Sequence, residues 1–141
     1  MRKLNVLFLP HPVAELATPW RADILDAIST RHQLQIFDRD QPAAPQFEGI
    51  EVIVDLGCNI SPDLVAIAAE AGVKFLQAQT TGLDHVNVEG ILETGLLLAH
   101  TPGQLSSVAM AQSAMMFILM HAHCYNEARR NFDHGKMYFP A

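Results

Sequence analysis

A chain of 141 residues, half of them apolar, has the material for one hydrophobic core with at most a fragment of a second domain. Nine basic residues against fifteen acidic ones give a net charge of −6, which argues against a nucleic-acid partner and against an anionic membrane surface. Two cysteines, Cys58 and Cys124, make no disulfide framework and no charged-then-apolar leader precedes Leu4, so the expected compartment is a reducing cytoplasm.

The run Leu4 to Leu9, stopped by Pro10, predicts a buried first strand. Thr18-Pro19 predicts a helix start, with Thr18 as N-cap, Pro19 at the first helical position, and Ile24, Leu25 and Ile28 spaced to face the sheet. Leu34 to Phe37 predicts the second strand. From Asp38 to Glu48 the sequence predicts a long exposed loop, because Pro42 and Pro45 oppose regular structure. Val52 to Val54 is the third strand, and Ser61-Pro62-Asp63 repeats the cap-plus-proline start before a helix through Leu64, Val65, Ile67 and Ala68 that Gly72 closes. Val73 to Ala78 is the fourth strand. Asn87 caps a short helix with Glu89 in its first turn and Gly95 just past its end, and Leu96 to Leu98 is the fifth strand.

This alternation predicts an α/β fold of three layers: a mainly parallel five-stranded sheet, flavodoxin-like or Rossmann-like, followed by a long C-terminal helix. That helix should run from Ser106 to about Phe132. Met110, Met115, Met116, Phe117, Leu119 and Met120 give it more than one apolar face. Its uninterrupted apolar stretch, Ala114 to Met120, is far shorter than the roughly 20 residues a bilayer requires, so it is not read as a membrane span. Such a helix needs cover, from a second copy of the chain or from more of a larger protein.

Chemistry-bearing residues concentrate between Gln79 and Gly103. Thr80-Thr81-Gly82-Leu83-Asp84 and Thr101-Pro102-Gly103 each follow an apolar run, and strand ends facing one way in an α/β sheet are where ligands bind. Asp55, at the end of the third strand, has the position of the phospho-accepting aspartate of a receiver domain. Pro10 and His11 stand where the acidic metal ligands would be required, and His100 and Thr101 where a lysine would, which favours a carboxylate that accepts backbone hydrogen bonds. His121, His123 and Cys124 lack the i, i+4 spacing of helical metal pairs and read as packing residues; no metal site is expected. His11, His85 and His100 fall near strand ends, where an imidazole can donate a hydrogen bond or act as an acid-base group, though each alone also reads as an ordinary loop histidine. Gly57 and Gly82 let the backbone approach a ligand closely, and amides there can bind a small anion such as a carboxylate.

Three segments, Val73-Lys74-Phe75-Leu76-Gln77, Thr81-Gly82-Leu83-Asp84-His85-Val86 and Gly95 to Gly103, together resemble the D-isomer-specific 2-hydroxyacid dehydrogenases. The similarity runs from about Val52 to Tyr138 and more loosely to the start of the chain. The resemblance implies that residues 1–101 are the flavodoxin-like substrate-binding domain. It implies that residues 102–141, with Thr101-Pro102 as the crossover, begin the cofactor-binding domain, whose first helix makes the homodimer contact. It also implies that Leu56, Gly57, Thr81 and Gly82 hold the carboxylate of a small 2-oxo or 2-hydroxy acid, and that Ser107 lies near the nicotinamide of NAD or NADP.

The departures bear on activity. Met110 stands where the family commonly has glutamate and His100 where it has asparagine, and no G-x-G-x-x-G occurs in the 141 residues. The family's catalytic arginine, glutamate and histidine match nothing here, and neither His85 nor His100 takes that histidine's place, so no catalytic residue is assigned. The expectation is the substrate-binding part of a truncated dehydrogenase, inactive by itself and not binding cofactor tightly. The alternatives are a non-enzymatic flavodoxin-like module that binds a small carboxylate or dimerises and, further off, a degenerate receiver domain.

Overall fold

A computed structural model describes the backbone of residues 2–136 and the side chains of all of these except 14–20 and 105. The chain divides between Pro102 and Gly103 into two compact units. The first alternates strands and helices: β1 (Asn5–Leu9), α1 (Ala14–Ser29), β2 (Gln33–Ile36), α2 (Ala43–Phe47), β3 (Val52–Leu56), α3 (Pro62–Glu70), β4 (Phe75–Gln79), α4 (Val88–Glu93) and β5 (Leu97–His100). The strands form one sheet in the order β2-β1-β3-β4-β5, and every neighbouring pair is parallel. The fold is the α/β architecture that the alternation predicts.

The sheet is sandwiched because successive residues of each strand face opposite layers. Leu7 and Leu9 of β1 join Phe37, Phe47, Ile53, Val65, Ala68, Leu76, Ile91 and Leu96 in the larger core, on the side of α2, α3 and α4. Val6 and Phe8 point the other way and join Val54 and Leu56, with Ile24, Leu25 and Ile28 of α1 packed over them. Each fully buried large side chain, such as Phe8 or Leu76, contributes about 1.5–3 kcal/mol by leaving water. The Ile24–Leu25–Ile28 stripe thus packs as the sequence predicts.

The helix ends show which local signals hold. Ser61 caps α3 by accepting from the Leu64 amide at 3.3 Å, with Pro62 at the first helical position. Asn87 caps α4 by accepting from the Gly90 amide at 3.0 Å. The analogous expectation for α1 is wrong. The helix begins at Ala14, so Thr18 and Pro19 lie inside it; strong helix formers at Ala14, Leu16 and Ala17 extend the helix backwards, and the proline forfeits only one backbone bond.

The expectation of a structureless Asp38–Glu48 loop also fails. It contains α2, with Pro42 as its N-cap and Pro45 in its first turn, where a missing N–H costs nothing because the first four amides of a helix have no partner within it. Phe47 at the end of α2 is completely buried, its ring 5.8 Å from that of Phe37. Gln46 closes the segment: its side chain accepts from the Asp38 amide at 2.8 Å and donates to the carbonyls of Asp38 and Pro42 at 2.9 and 3.0 Å.

The second unit opens with a 3-10 turn, Gly103–Leu105, and continues as α5 (Ser107–Ala122) and α6 (Tyr125–Asp133). The single helix expected from Ser106 to Phe132 is therefore two. Cys124 adopts a left-handed backbone, φ +47°, which no α-helix accommodates, and no glycine or proline marks the break. No residue of α5 is buried, and Val108, Met110, Met115, Met116, Phe117, Ile118 and Leu119 are 48–68% exposed. No helix among the described residues is long and apolar enough to cross a membrane. Tyr138, where the family resemblance ends, lies outside the described residues.

Candidate functional site

In the order β2-β1-β3-β4-β5 the chain moves outward from β1 in both directions, so the sheet has its topological switch point between β1 and β3, at the carboxyl ends of the strands. The loops that meet at this edge follow β1 at Pro10, β3 at Gly57, β4 at Thr80 and β5 at Thr101.

The β3 loop is shaped by Asp55. Its carboxylate is 1% exposed and its Oδ2 accepts from the Ile60 amide at 2.7 Å, folding the chain back over four intervening residues. Burial pushes its pKa up from 3.8; hydrogen bonds from the Asn59 and Ile60 backbone and the charges of Arg39 and His11 oppose that rise. Gly57 and Cys58 take left-handed conformations, φ +93° and +54°. The Gly57 amide donates to the Gln79 carbonyl at 3.3 Å and so continues the β3–β4 pairing rather than serving a ligand. A Cβ on Gly57 would lie 2.8 Å from the His11 ring and 2.6 Å from Asn59 Nδ2, so glycine is what lets these groups close in. Burial, and then the neighbouring Asp55 carboxylate, push the Cys58 thiol up to about 11.

The β4 loop is held by other side chains. Thr80 donates its hydroxyl to the Gly82 carbonyl at 3.2 Å, His100 Nδ1 lies 3.0 Å from the Thr81 carbonyl, and His85 Nε2 reaches back to the Gly57 carbonyl at 3.0 Å. Thr101 continues the edge, its amide donating to the Thr80 carbonyl and its hydroxyl to Gln79 Oε1.

Two cavities open here. One, of about 350 Å³, is lined by Leu56, Gln79, Thr80, Thr81 and Thr101 with Asp23 and Ile24 of α1. The other, of about 360 Å³, lies between the β3 loop, α3 and α4, with Cys58, Asn59, His85, Val86 and Asn87 in its wall. Of the four residues expected to hold substrate, Leu56 and Thr81 share the first cavity. Gly57 and Gly82 follow them directly in the two loops. Ser107 belongs to the second unit, where it opens α5 and donates its hydroxyl to the Gln104 carbonyl at 3.2 Å.

Sequence reasoning misses how the histidines and Arg39 converge. Arg39, after β2, donates from Nη2 to the Pro10 carbonyl at 3.2 Å, which brings a cation to the switch point. His11 sits against Gly57, and its Nδ1 accepts from the Val13 amide at 3.0 Å. These partners are 28 and 29 residues apart for His85 and Arg39, and no local pattern reports such pairings. Among the described residues no group of three or more histidine, cysteine or acidic side chains could hold a metal ion.

A dinucleotide needs a glycine-rich strand–turn–helix to cradle its pyrophosphate. The β1–α1 turn here has Pro10 and Pro12, and the turns after β3 and β4 have one glycine each, so the described residues do not fit that group.

Among solved structures the chain is similar to a D-isomer-specific 2-hydroxyacid dehydrogenase from Lactobacillus delbrueckii ssp. bulgaricus in its NAD-complexed form, with 17% identity and TM-score 0.64, covering 96% of this chain and 41% of that one. It is similar to a D-lactate dehydrogenase from Aquifex aeolicus complexed with NAD and lactic acid, with 18% identity and TM-score 0.66, covering 97% and 39%. It is also similar to a D-lactate dehydrogenase from Treponema pallidum, with 14% identity and TM-score 0.68, covering 98% and 41%. The chain thus shares their fold over nearly all its length and spans about two fifths of theirs. No family model and no curated protein matches it.

Proposed function

We propose that the unit ending at Pro102 is the substrate-binding domain of an NAD(P)-dependent D-2-hydroxyacid dehydrogenase, and that the residues from Gly103 begin its cofactor-binding domain. The observation that carries this reading is positional. Leu56-Gly57 and Thr81-Gly82, which the family resemblance assigns to the substrate carboxylate, end the neighbouring parallel strands β3 and β4 beside one cavity. The fold neighbours, a D-isomer-specific 2-hydroxyacid dehydrogenase and a D-lactate dehydrogenase among them, support it.

The cavity suits a small 2-oxo or 2-hydroxy acid. Backbone amides after β3 and β4 can receive its carboxylate, the hydroxyl of Thr81 can donate to one of its oxygens, and Leu56 and Ile24 offer an apolar wall to its side chain. Asp23, the acidic liner, is exposed on α1, where solvent screens its charge. The nicotinamide, NAD or NADP, supplies hydride chemistry when bound, and we assign its binding to a part of the enzyme outside these 141 residues, apart from Ser107 near the nicotinamide. By themselves the 141 residues bind the acid without turning it over. The exposed apolar surface of α5 is the proposed homodimer contact, and a reducing cytoplasm the proposed location.

Titrating the ¹⁵N-labelled chain with pyruvate and with 2-oxo-4-methylpentanoate tests this. Saturable shifts centred on residues 56–59 and 80–83, with no NADH consumed, are the expected result. Shifts elsewhere only, or NADH turnover by the purified chain, would refute it.

A further inference from the structure

We propose that Gln79 and Asp23 select among 2-oxo acids by the end of the side chain, favouring an uncharged group that both accepts and donates a hydrogen bond, such as a hydroxyl or a carboxamide; this rests on the dehydrogenase reading above. Both residues line the cavity of about 350 Å³ assigned to the acid. The rest of that wall has little polar chemistry to give a side chain. Leu56 and Ile24 are apolar, and the hydroxyls of Thr80 and Thr101 are already engaged, with the Gly82 carbonyl and with Gln79 Oε1.

Strand register sets the Gln79 side chain in this wall. Gln79 pairs with Leu56 across β3 and β4, and Ala78 pairs with His100, which brings Gln79 beside Thr101 at the end of β5. Register partners in a parallel sheet face the same layer, and Leu56 lies in the core that Ile24 of α1 covers. The half-buried carboxamide of Gln79 therefore stands between Leu56 and Thr101 on the α1 face. The Thr101 hydroxyl donates to its Oε1 at 3.3 Å, which orients the amide and leaves Nε2 as the free end. Among the described residues Nε2 meets no acceptor and no buried side-chain nitrogen lacks a partner, so its hydrogens open to solvent beside the cavity.

Asp23 supplies the complementary group. Among the described residues it is the only charged one lining the cavity, exposed on α1 and outside any ion pair. A second carboxylate on the ligand would meet this anion and be repelled, by the modest amount that solvent and salt allow. A cationic end would suit Asp23 but set its own donors against the Gln79 donor. A hydrocarbon end would strip water from Nε2 and return no acceptor. A hydroxyl or carboxamide offers an acceptor to Gln79 and a donor to Asp23 without carrying charge.

The test uses the ¹⁵N-labelled full chain and three acids that differ only at the end of a common two-carbon spacer: methyl in 2-oxopentanoate, hydroxyl in 2-oxo-4-hydroxybutanoate and carboxylate in 2-oxoglutarate. Wild type should bind the hydroxy acid about fivefold more tightly than either of the others. Gln79→Met should abolish its advantage over 2-oxopentanoate, and Thr101→Val, which releases the carboxamide, should narrow that advantage to about twofold. Asp23→Asn should tighten 2-oxoglutarate alone, by about threefold at low salt and less at high salt. An unchanged amide spectrum away from the cavity shows that each variant is folded. A hydroxy acid bound no better than 2-oxopentanoate, a preference that survives Gln79→Met or Thr101→Val, or 2-oxoglutarate unaffected by Asp23→Asn would overturn the inference and leave the dehydrogenase reading standing. No saturable shift with any of the three acids in the wild type would overturn both.

Discussion

The Oδ2 of Asp55 lies 2.7 Å from the amide nitrogen of Ile60, and that one bond ties the end of β3 to the start of α3 beneath the proposed carboxylate loop. Removing the acceptor in Asp55→Ala deletes a part-buried hydrogen bond to a carboxylate, so unfolding by urea should show a loss of about 1–3 kcal/mol. An unchanged midpoint would mean that the bond does not hold the loop.

The same carboxylate sets a pH dependence. Burial raises its pKa above 3.8, so the folded chain holds the proton more tightly than the unfolded one. The resulting stabilisation is fully present below the unfolded value and is lost as pH rises through the raised folded value. Urea midpoints for wild type and Asp55→Asn, measured from pH 4 upward, should differ in slope across that interval, with the asparagine variant flatter. Parallel curves would refute the assignment.

The two cysteines should react very differently. Cys58 is 3% exposed with its pKa raised to about 11, whereas Cys124 is exposed at the start of α6. A thiol reagent at pH 8 should label one group per native chain quickly and the second only after denaturation. Fast labelling of both would contradict the burial of the β3 loop.

Glycine is required at position 57 for two reasons and at position 95 for one. Both have φ near +90°, but a Cβ at Gly57 meets His11 and Asn59 under 3 Å, while at Gly95 it meets nothing within 4 Å. Gly57→Ala should cost about 3 kcal/mol and Gly95→Ala about 1 kcal/mol. Equal costs would show that the close approach of His11 carries no energy.

For α5, sedimentation of the chain at micromolar concentration should show a dimer, and Phe117→Glu should shift it to monomer. A wild-type monomer across that range would remove the homodimer proposal.

The inner strands β1 and β3 were legible because a buried run of a parallel sheet is short, apolar and ended by a turn former, as Leu4 to Leu9 and Pro10 illustrate. Capping was legible at Ser61 and Asn87, where the side chain bonds an amide three residues on. It misled at Thr18-Pro19, because the same pair can be absorbed within a helix that begins earlier. Proline rules failed at Pro42 and Pro45, which the first turn of α2 tolerates. The break at Cys124 has no local signature. Of the site, the glycine loops were visible, but the histidine contacts join residues 28 and 19 positions apart, and only the folded sheet edge brings them together.

Gln46 is needed as an amide. Its NH₂ group faces the carbonyls of Asp38, Gln41 and Pro42, an environment built wholly of acceptors. A glutamate there would offer those carbonyls no donor, so the turn that leads into Phe47 depends on the amide keeping its nitrogen.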